Sequence, residues 1–350
     1  MHKMAWSEQI VDGLQFAQNA SVACPACGYA ATTSLEEFHR SWRYACAGCD
    51  LHFWYPVAMP DTSWHECVYQ GRDQTAMPLE PGHRFFLGDS RAPKSGHLLD
   101  LGCGVGNFLA AARDVGFRVA GIDLNRNALR FAQEHYSLRN VFVMRPEEFA
   151  SSYAGERFDV VTFFEVLEHQ ENPTGFLQVA DRLLAERGFI ALSVPNRNRW
   201  QKGIETLDYP PNHLTRWSPR ALRKFLECHG FEILSLVREP LRVRRVAQVL
   251  SARLRTGMVS RISGRETPTL ADLFEMDPKQ RQQTTIWLAT DRKLWLAGRL
   301  VRLKNFALLP LAALIWPFLR LRGHTGLYLY CLARKRPAGL GSGVIRARAS

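Results

Sequence analysis

A glycine-dense turn between a strand pattern and a helix pattern constrains this chain more than any other feature of it. Residues 98–109 read Leu-Leu-Asp-Leu-Gly-Cys-Gly-Val-Gly-Asn-Phe-Leu. Leu98 to Leu101 has the apolar density of a buried strand, and Asn107 to Val115 the spacing of a helix. Gly102, Gly104 and Gly106 permit positive φ and close approach of a ligand, while the helix aims its free N–H groups at the same place. Strand, turn and helix in that order form one unit of a parallel α/β sheet with a nucleotide-like ligand at the carboxyl end of the strand. The bland alternative is an ordinary strand-to-helix connection, and the residues downstream decide between the two.

A dinucleotide site calls for G-x-G-x-x-G, but position 107 is Asn and the turn is preceded by Asp100, which weakens the pyrophosphate reading. Phe117 to Asp123 reads as a second strand ending in an acid. A carboxylate there, about twenty residues beyond the first glycine, can accept both hydroxyls of a ribose. With these residues the chain resembles the class I S-adenosylmethionine-dependent methyltransferases. That resemblance implies cofactor contacts from Asp100, Gly102, Gly104, Gly106, Asp123, Leu124 and Glu165. Phe158 to His169, a β-branched and aromatic run ending in Glu165, Glu168 and His169, resembles the fourth strand of that family and the loop beyond it. A helix over Pro173 to Glu186 and a strand over Gly188 to Asn196 follow, and Thr325 to Lys335 matches a last, antiparallel strand. The expected fold is α/β: a Rossmann-like seven-stranded, mostly parallel sheet with helices on both faces.

Methyl transfer needs the acceptor placed in line with the methyl carbon and, for a hydroxyl, a base to take its proton. His169 and His213 are the candidate bases, with a packed or capping role as the alternative for each. Glu165, Glu168 and His169 also match a Glu-x-x-Glu-His triplet that, in methyltransferases acting on ubiquinone precursors, is associated with a divalent metal. The resemblance thus adds Mg²⁺ as a lesser expectation, against acids favoured by a helix N-terminus.

Before the catalytic core stand Cys24-Pro-Ala-Cys27 and Cys46-Ala-Gly-Cys49, two C-x-x-C pairs at a spacing suited to one tetrahedral, structural Zn²⁺. His39 and His52 are minor alternative ligands. Four cysteines leave zinc no open position for catalysis, so the ribbon either contacts substrate or braces the core. Residues 1–18 lack the apolar run of a secretory signal, so a reducing, cytoplasmic setting is expected and disulfides are disfavoured.

The formal charge of +12 is unevenly spread: residues 241–350 hold 21 Lys or Arg and 5 Asp or Glu, with no acid after Asp291. Basic amphipathic helices are expected over residues 241–255 and 291–304. Phe306 to Leu319 is an apolar run of 14 residues with basic flanks, too short to span a bilayer but suited to a membrane interface or to a core helix. The expected organisation is therefore an arm or helix at 1–19, a zinc ribbon at 20–58, linker helices at 59–94, and the S-adenosylmethionine-binding core at 95–240. A helical insertion at 241–324, the last strand at 325–336 and a disordered tail at 337–350 complete it.

Three classes of function fit. One is a methyltransferase acting on a small-molecule or lipid- or glycan-linked acceptor, with transfer to oxygen expected and peripheral contact to an anionic membrane through 241–324. Another is an RNA methyltransferase gripping nucleic acid with ribbon and basic region. It is less favoured, because the Asn-Pro-Pro-Tyr type of motif is missing after the fourth strand and the ribbon is not basic. The last is a non-catalytic S-adenosylmethionine-binding module, disfavoured by the intact glycine turn and Asp123. Oligomeric state and acceptor identity have no signature in the sequence.

Overall fold

The computed structural model describes residues 22–57, 75–200, 206–253, 270–277, 279–284 and 292–337. The expected N-terminal arm, part of the linker, and the tail beyond residue 337 lie outside them.

The core is a seven-stranded sheet. An inner strand, β4 (Gly96–Leu101), is flanked on one side by β5 (Phe117–Asp123) and β6 (Val141–Val143). On the other side lie β7 (Phe158–Phe164), β8 (Leu184–Pro195), β11 (Thr325–Lys335) and β10 (Phe231–Pro240). Only β11 runs against its neighbours. The inner strands β4 and β7 are mostly buried because helices cover both faces of the sheet. Leu99, Val161 and Ile190 belong to one layer of the core, and Leu98, Val160 and Ala191 to the other.

Helix starts follow local chemistry. Asn125 caps α3 (Arg126–Tyr136) by accepting from the amides of Asn127 and Ala128. Asn172 and Ser218 each accept one amide at the start of α5 (Pro173–Leu183) and α6 (Pro219–Cys228), both with proline as first residue. Helix α2 (Asn107–Asp114) follows the glycine turn. Within the linker, α1 (Pro81–Gly88) is described, and it packs on β8 and β11.

One boundary differs from the sequence expectation. Helix α5 stops at Leu183 and β8 already begins at Leu184, which pairs with Phe158. Residues 185–188 then bulge out, with Arg187 at φ 63°, and pairing resumes at Phe189 opposite Val160. Burial of Leu184 draws the chain into the sheet early, and periodicity cannot register a bulge.

The cysteine region forms its own antiparallel strands, β1 (Thr32–Phe38), β2 (Ser41–Cys46) and β3 (His52–Tyr55). A fourth strand, β9 (Thr215–Arg216), comes from the core, so the ribbon sheet is completed by a loop about 160 residues further along. Between β10 and β11 lie α7 (Val243–Arg253), α8 (Leu270–Glu275), α9 (Arg292–Ala307) and α10 (Leu309–Leu321). The insertion leaves β10 at Pro240 and re-enters β11 at Thr325. Both points lie at the edge of the sheet where the parallel strands end.

Candidate active site

The turn after β4 has the geometry its glycines allow, with φ of 84°, 51° and 77° at Gly102, Gly104 and Gly106. A Cβ on Gly106 would lie 2.8 Å from the Ala132 side chain, so this glycine lets α3 close against the turn. Gly104 faces open space, and its N–H donates to Asp123 Oδ2 at 2.8 Å. The other oxygen of Asp123 accepts from Asn125 N at 2.8 Å. These two bonds fix the carboxylate at the mouth of the turn and leave each oxygen a further lone pair. Leu124 continues the same backbone. Asp100 lies beneath, accepting from the Thr162 hydroxyl at 2.6 Å.

Acids crowd this edge. Burial pushes Asp100 up to about 7 against the Thr162 hydrogen bond, and it raises Asp123 despite the backbone donors. Glu165, at φ 56°, accepts from Ser193 Oγ at 2.7 Å, yet burial lifts its carboxyl to about 8. Gly82 in α1 approaches Ser193 and Phe164 so closely that a Cβ there would meet Ser193 Oγ at 2.7 Å. Burial thus disfavours the charged form of each of these acids, and a cationic ligand at this edge would offset that cost.

Beyond β7 the histidines come together. Leu214 N donates to Glu168 O at 2.8 Å, strapping the loop before β9 onto the short helical turn Leu167–His169. The His169 and His213 ring centroids are consequently 5.0 Å apart. Glu168 lies between them, 1% exposed, with neither carboxylate oxygen hydrogen-bonded. His169 Nε2 is 3.8 Å and His213 Nε2 4.0 Å from Glu168 Oε1. On their other sides, His169 Nδ1 lies 2.5 Å from Asn212 O and His213 Nδ1 lies 3.5 Å from Asp208 Oδ1. A carbonyl can only accept, so His169 Nδ1 carries a proton, and its Nε2 faces Glu168. Burial lowers the pKa of His213 and favours its neutral form.

Asp208 also pairs with Arg199 and with Arg216, the latter at 3.4 Å. Burial works to raise its pKa, but the His213 contact and the two arginines outweigh it and hold it well below the usual range. In the sequence, His169 and His213 stand as separate candidate bases. The fold instead brings them to one carboxylate, and it adds Asp208, Arg199 and Arg216, which no motif marks.

The four cysteine Sγ atoms form a cluster, with Cys24–Cys49 and Cys27–Cys46 both at 3.6 Å. Sulfur atoms at the corners of a zinc tetrahedron lie about 3.8 Å apart, given Zn–S bonds of about 2.3 Å. Each pair closes in the same way: Gly28 N donates to Cys24 O and Asp50 N to Cys46 O, with φ of 69° and 68° at Gly28 and Asp50. The donor set and spacing fit structural zinc. His39 and His52 point elsewhere, to Glu275 at 3.3 Å and to Arg43 at 2.8 Å.

The ribbon grips the histidine loop. Trp54 N donates to Leu214 O at 2.9 Å and its indole to Asp208 O at 3.2 Å. Asp50, next to Cys49, pairs with Arg197 at 2.7 Å and accepts from Ser218 Oγ.

Residues 71–236 match a family model described as a methyltransferase domain. The ubiquinone biosynthesis O-methyltransferase of Thiobacillus denitrificans is 39% identical over 115 residues, 31% of this chain and 49% of its own length. That of Caulobacter sp. is 31% identical over 137 residues, 38% of this chain and 53% of its own. This chain therefore spans about half the length of the curated relatives it matches. Among solved structures, the [4+2]-cyclase SpnF aligns with TM-score 0.49 and 16% identity over 81% of this chain and 98% of its own.

Proposed function

We propose that this chain, a class I S-adenosylmethionine-dependent methyltransferase through its residues 71–236, methylates a hydroxyl of a small-molecule acceptor held at the Glu168–His169–His213 cluster. The turn at Gly102–Gly106 and Asp123 hold the methyl donor, Asp123 through the ribose hydroxyls. Asp100, Leu124 and Glu165 line the same edge.

One observation carries the acceptor side. A fully buried carboxylate without hydrogen bonds faces the Nε2 atoms of two histidines whose Nδ1 atoms lie beside a carbonyl and a carboxylate. Oriented imidazoles of this kind are the usual setting of metal-ligating histidines. Glu168, His169 and His213, rather than the Glu165, Glu168 and His169 of the sequence motif, suit a divalent cation such as Mg²⁺, which would lower the pKa of an acceptor hydroxyl and orient it, while Glu165 accepts from Ser193 Oγ instead. Asn212 and Asp208 position the rings, and the ribbon holds the loop that carries His213. A second arrangement, in which one histidine takes the hydroxyl proton directly, uses the same residues.

The names of the relatives support transfer to oxygen. Supplying methyl-labelled donor with a cell extract and identifying the product by mass spectrometry should place the label in a methoxy group. Label on nitrogen or in RNA would refute the assignment. Glu168→Gln should abolish Mn²⁺ binding in titration calorimetry while donor affinity persists. Loss of donor binding instead would assign Glu168 to the donor site.

A further inference from the structure

We infer that helices α9 and α10 form a membrane-docking wedge that seats the carboxyl edge of the sheet on an anionic bilayer. Helix α10 is apolar on two sides. Its inner side, with Ala312, Ile315 and Trp316, packs on Val246 and Ala247 of α7, and the Trp316 indole donates to Leu241 O at 2.6 Å. Its outer side carries Leu311, Leu314, Phe318 and Leu321 at helical spacing, and these are 50%, 80%, 54% and 87% exposed. Leu303 and Phe306 extend the exposed surface onto α9, at 66% and 71%. A contiguous face of outward-pointing large apolar side chains of this kind marks an interaction surface.

Charge selects the occupant. Residues 292–350 contain 12 Lys or Arg and no Asp or Glu. Arg322 lies over the Phe318 ring at 4.4 Å, and Arg320 over the Trp316 ring at 5.6 Å. Two copies of this chain meeting on the same face would bring cation against cation. An anionic headgroup layer supplies the opposite sign, with the apolar side chains entering the acyl boundary. No single helix among the described residues is long and apolar enough to cross a membrane. The α9 and α10 segments pass that test only together, bent by 60° at a short break. A bent apolar pair with basic flanks suits shallow insertion rather than a straight span.

The position matters as much as the composition. The insertion leaves and re-enters the sheet at Pro240 and Thr325, on the edge that also bears the glycine turn, Asp123 and Glu165. Docking there turns the acceptor side of the molecule toward the lipid. The surface stands or falls separately from methyl transfer, because vesicle binding requires no methyl donor.

Sedimentation of the full chain with phosphatidylcholine vesicles, with and without phosphatidylglycerol, tests the inference. Binding should be about tenfold or more stronger with phosphatidylglycerol, and should weaken with salt. Combined Leu314→Glu and Phe318→Glu should cut it by about a hundredfold with the melting temperature retained, since both side chains are exposed. No binding to either vesicle, or binding untouched by the double substitution, would overturn it. So would a chain that ignores vesicles and sediments as a dimer, becoming monomeric on the same substitution, because the face would then join two copies.

Discussion

Asp123 shows how much a single side chain owes to its immediate neighbours. A carboxylate at the end of the second strand needs only the adjoining turn to position it, and the bonds from Gly104 N and Asn125 N hold it there. Asp123→Ala should weaken S-adenosylmethionine binding by about ten- to a hundredfold, the worth of lost hydrogen bonds to a charged acceptor, as read by titration calorimetry. Unchanged affinity would remove the ribose from this carboxylate. Asp208 is the opposite case. Its partners Arg199, His213 and Arg216 are close in sequence, yet nothing in their order marks them as a buried cluster until the loop closes over Glu168. His169 and His213 are recognisable as reactive residue types, but their convergence depends on the backbone bond from Leu214 to Glu168.

At the scale of elements, the cysteine knuckles are legible in the sequence because C-x-x-C spacing is local chemistry. The strand that the core lends to the ribbon is not. Pairing of His52 with Arg216 and Phe53 with Thr215 makes the ribbon part of the loop that carries His213. Metal binding in such ribbons contributes directly to folding free energy. Removing zinc with a chelator, or replacing Cys46 with Ser, should therefore release the Trp54 amide, which donates to Leu214 O, to rapid hydrogen exchange. Donor affinity should stay within about threefold, since none of the described cradle contacts comes from the ribbon. Protection that survives zinc loss would make the pairing independent of the metal. The insertion helices are also legible from their amphipathic spacing, although the break at Leu308 that bends α9 against α10 is not.

The whole molecule is a sheet whose carboxyl edge collects acids, while the basic residues gather in the C-terminal third. A ligand that binds only the folded chain stabilises it by mass action. S-adenosylmethionine at a hundred times its dissociation constant should add about 2.7 kcal/mol, seen as a rise of several degrees in melting temperature. A melting temperature indifferent to saturating donor would contradict a donor site on the folded chain. The sheet, with its strand order by resemblance, the glycine turn with its acid, and the cysteine pairs can all be read from the chain alone, because each is written in contiguous residues and their spacing. That Glu168, His169 and His213 share one site, that the ribbon braces it, and that the leucines of α10 face outward emerges only on folding. Those facts depend on contacts between segments far apart in the chain, and local pattern carries no record of which distant surfaces meet.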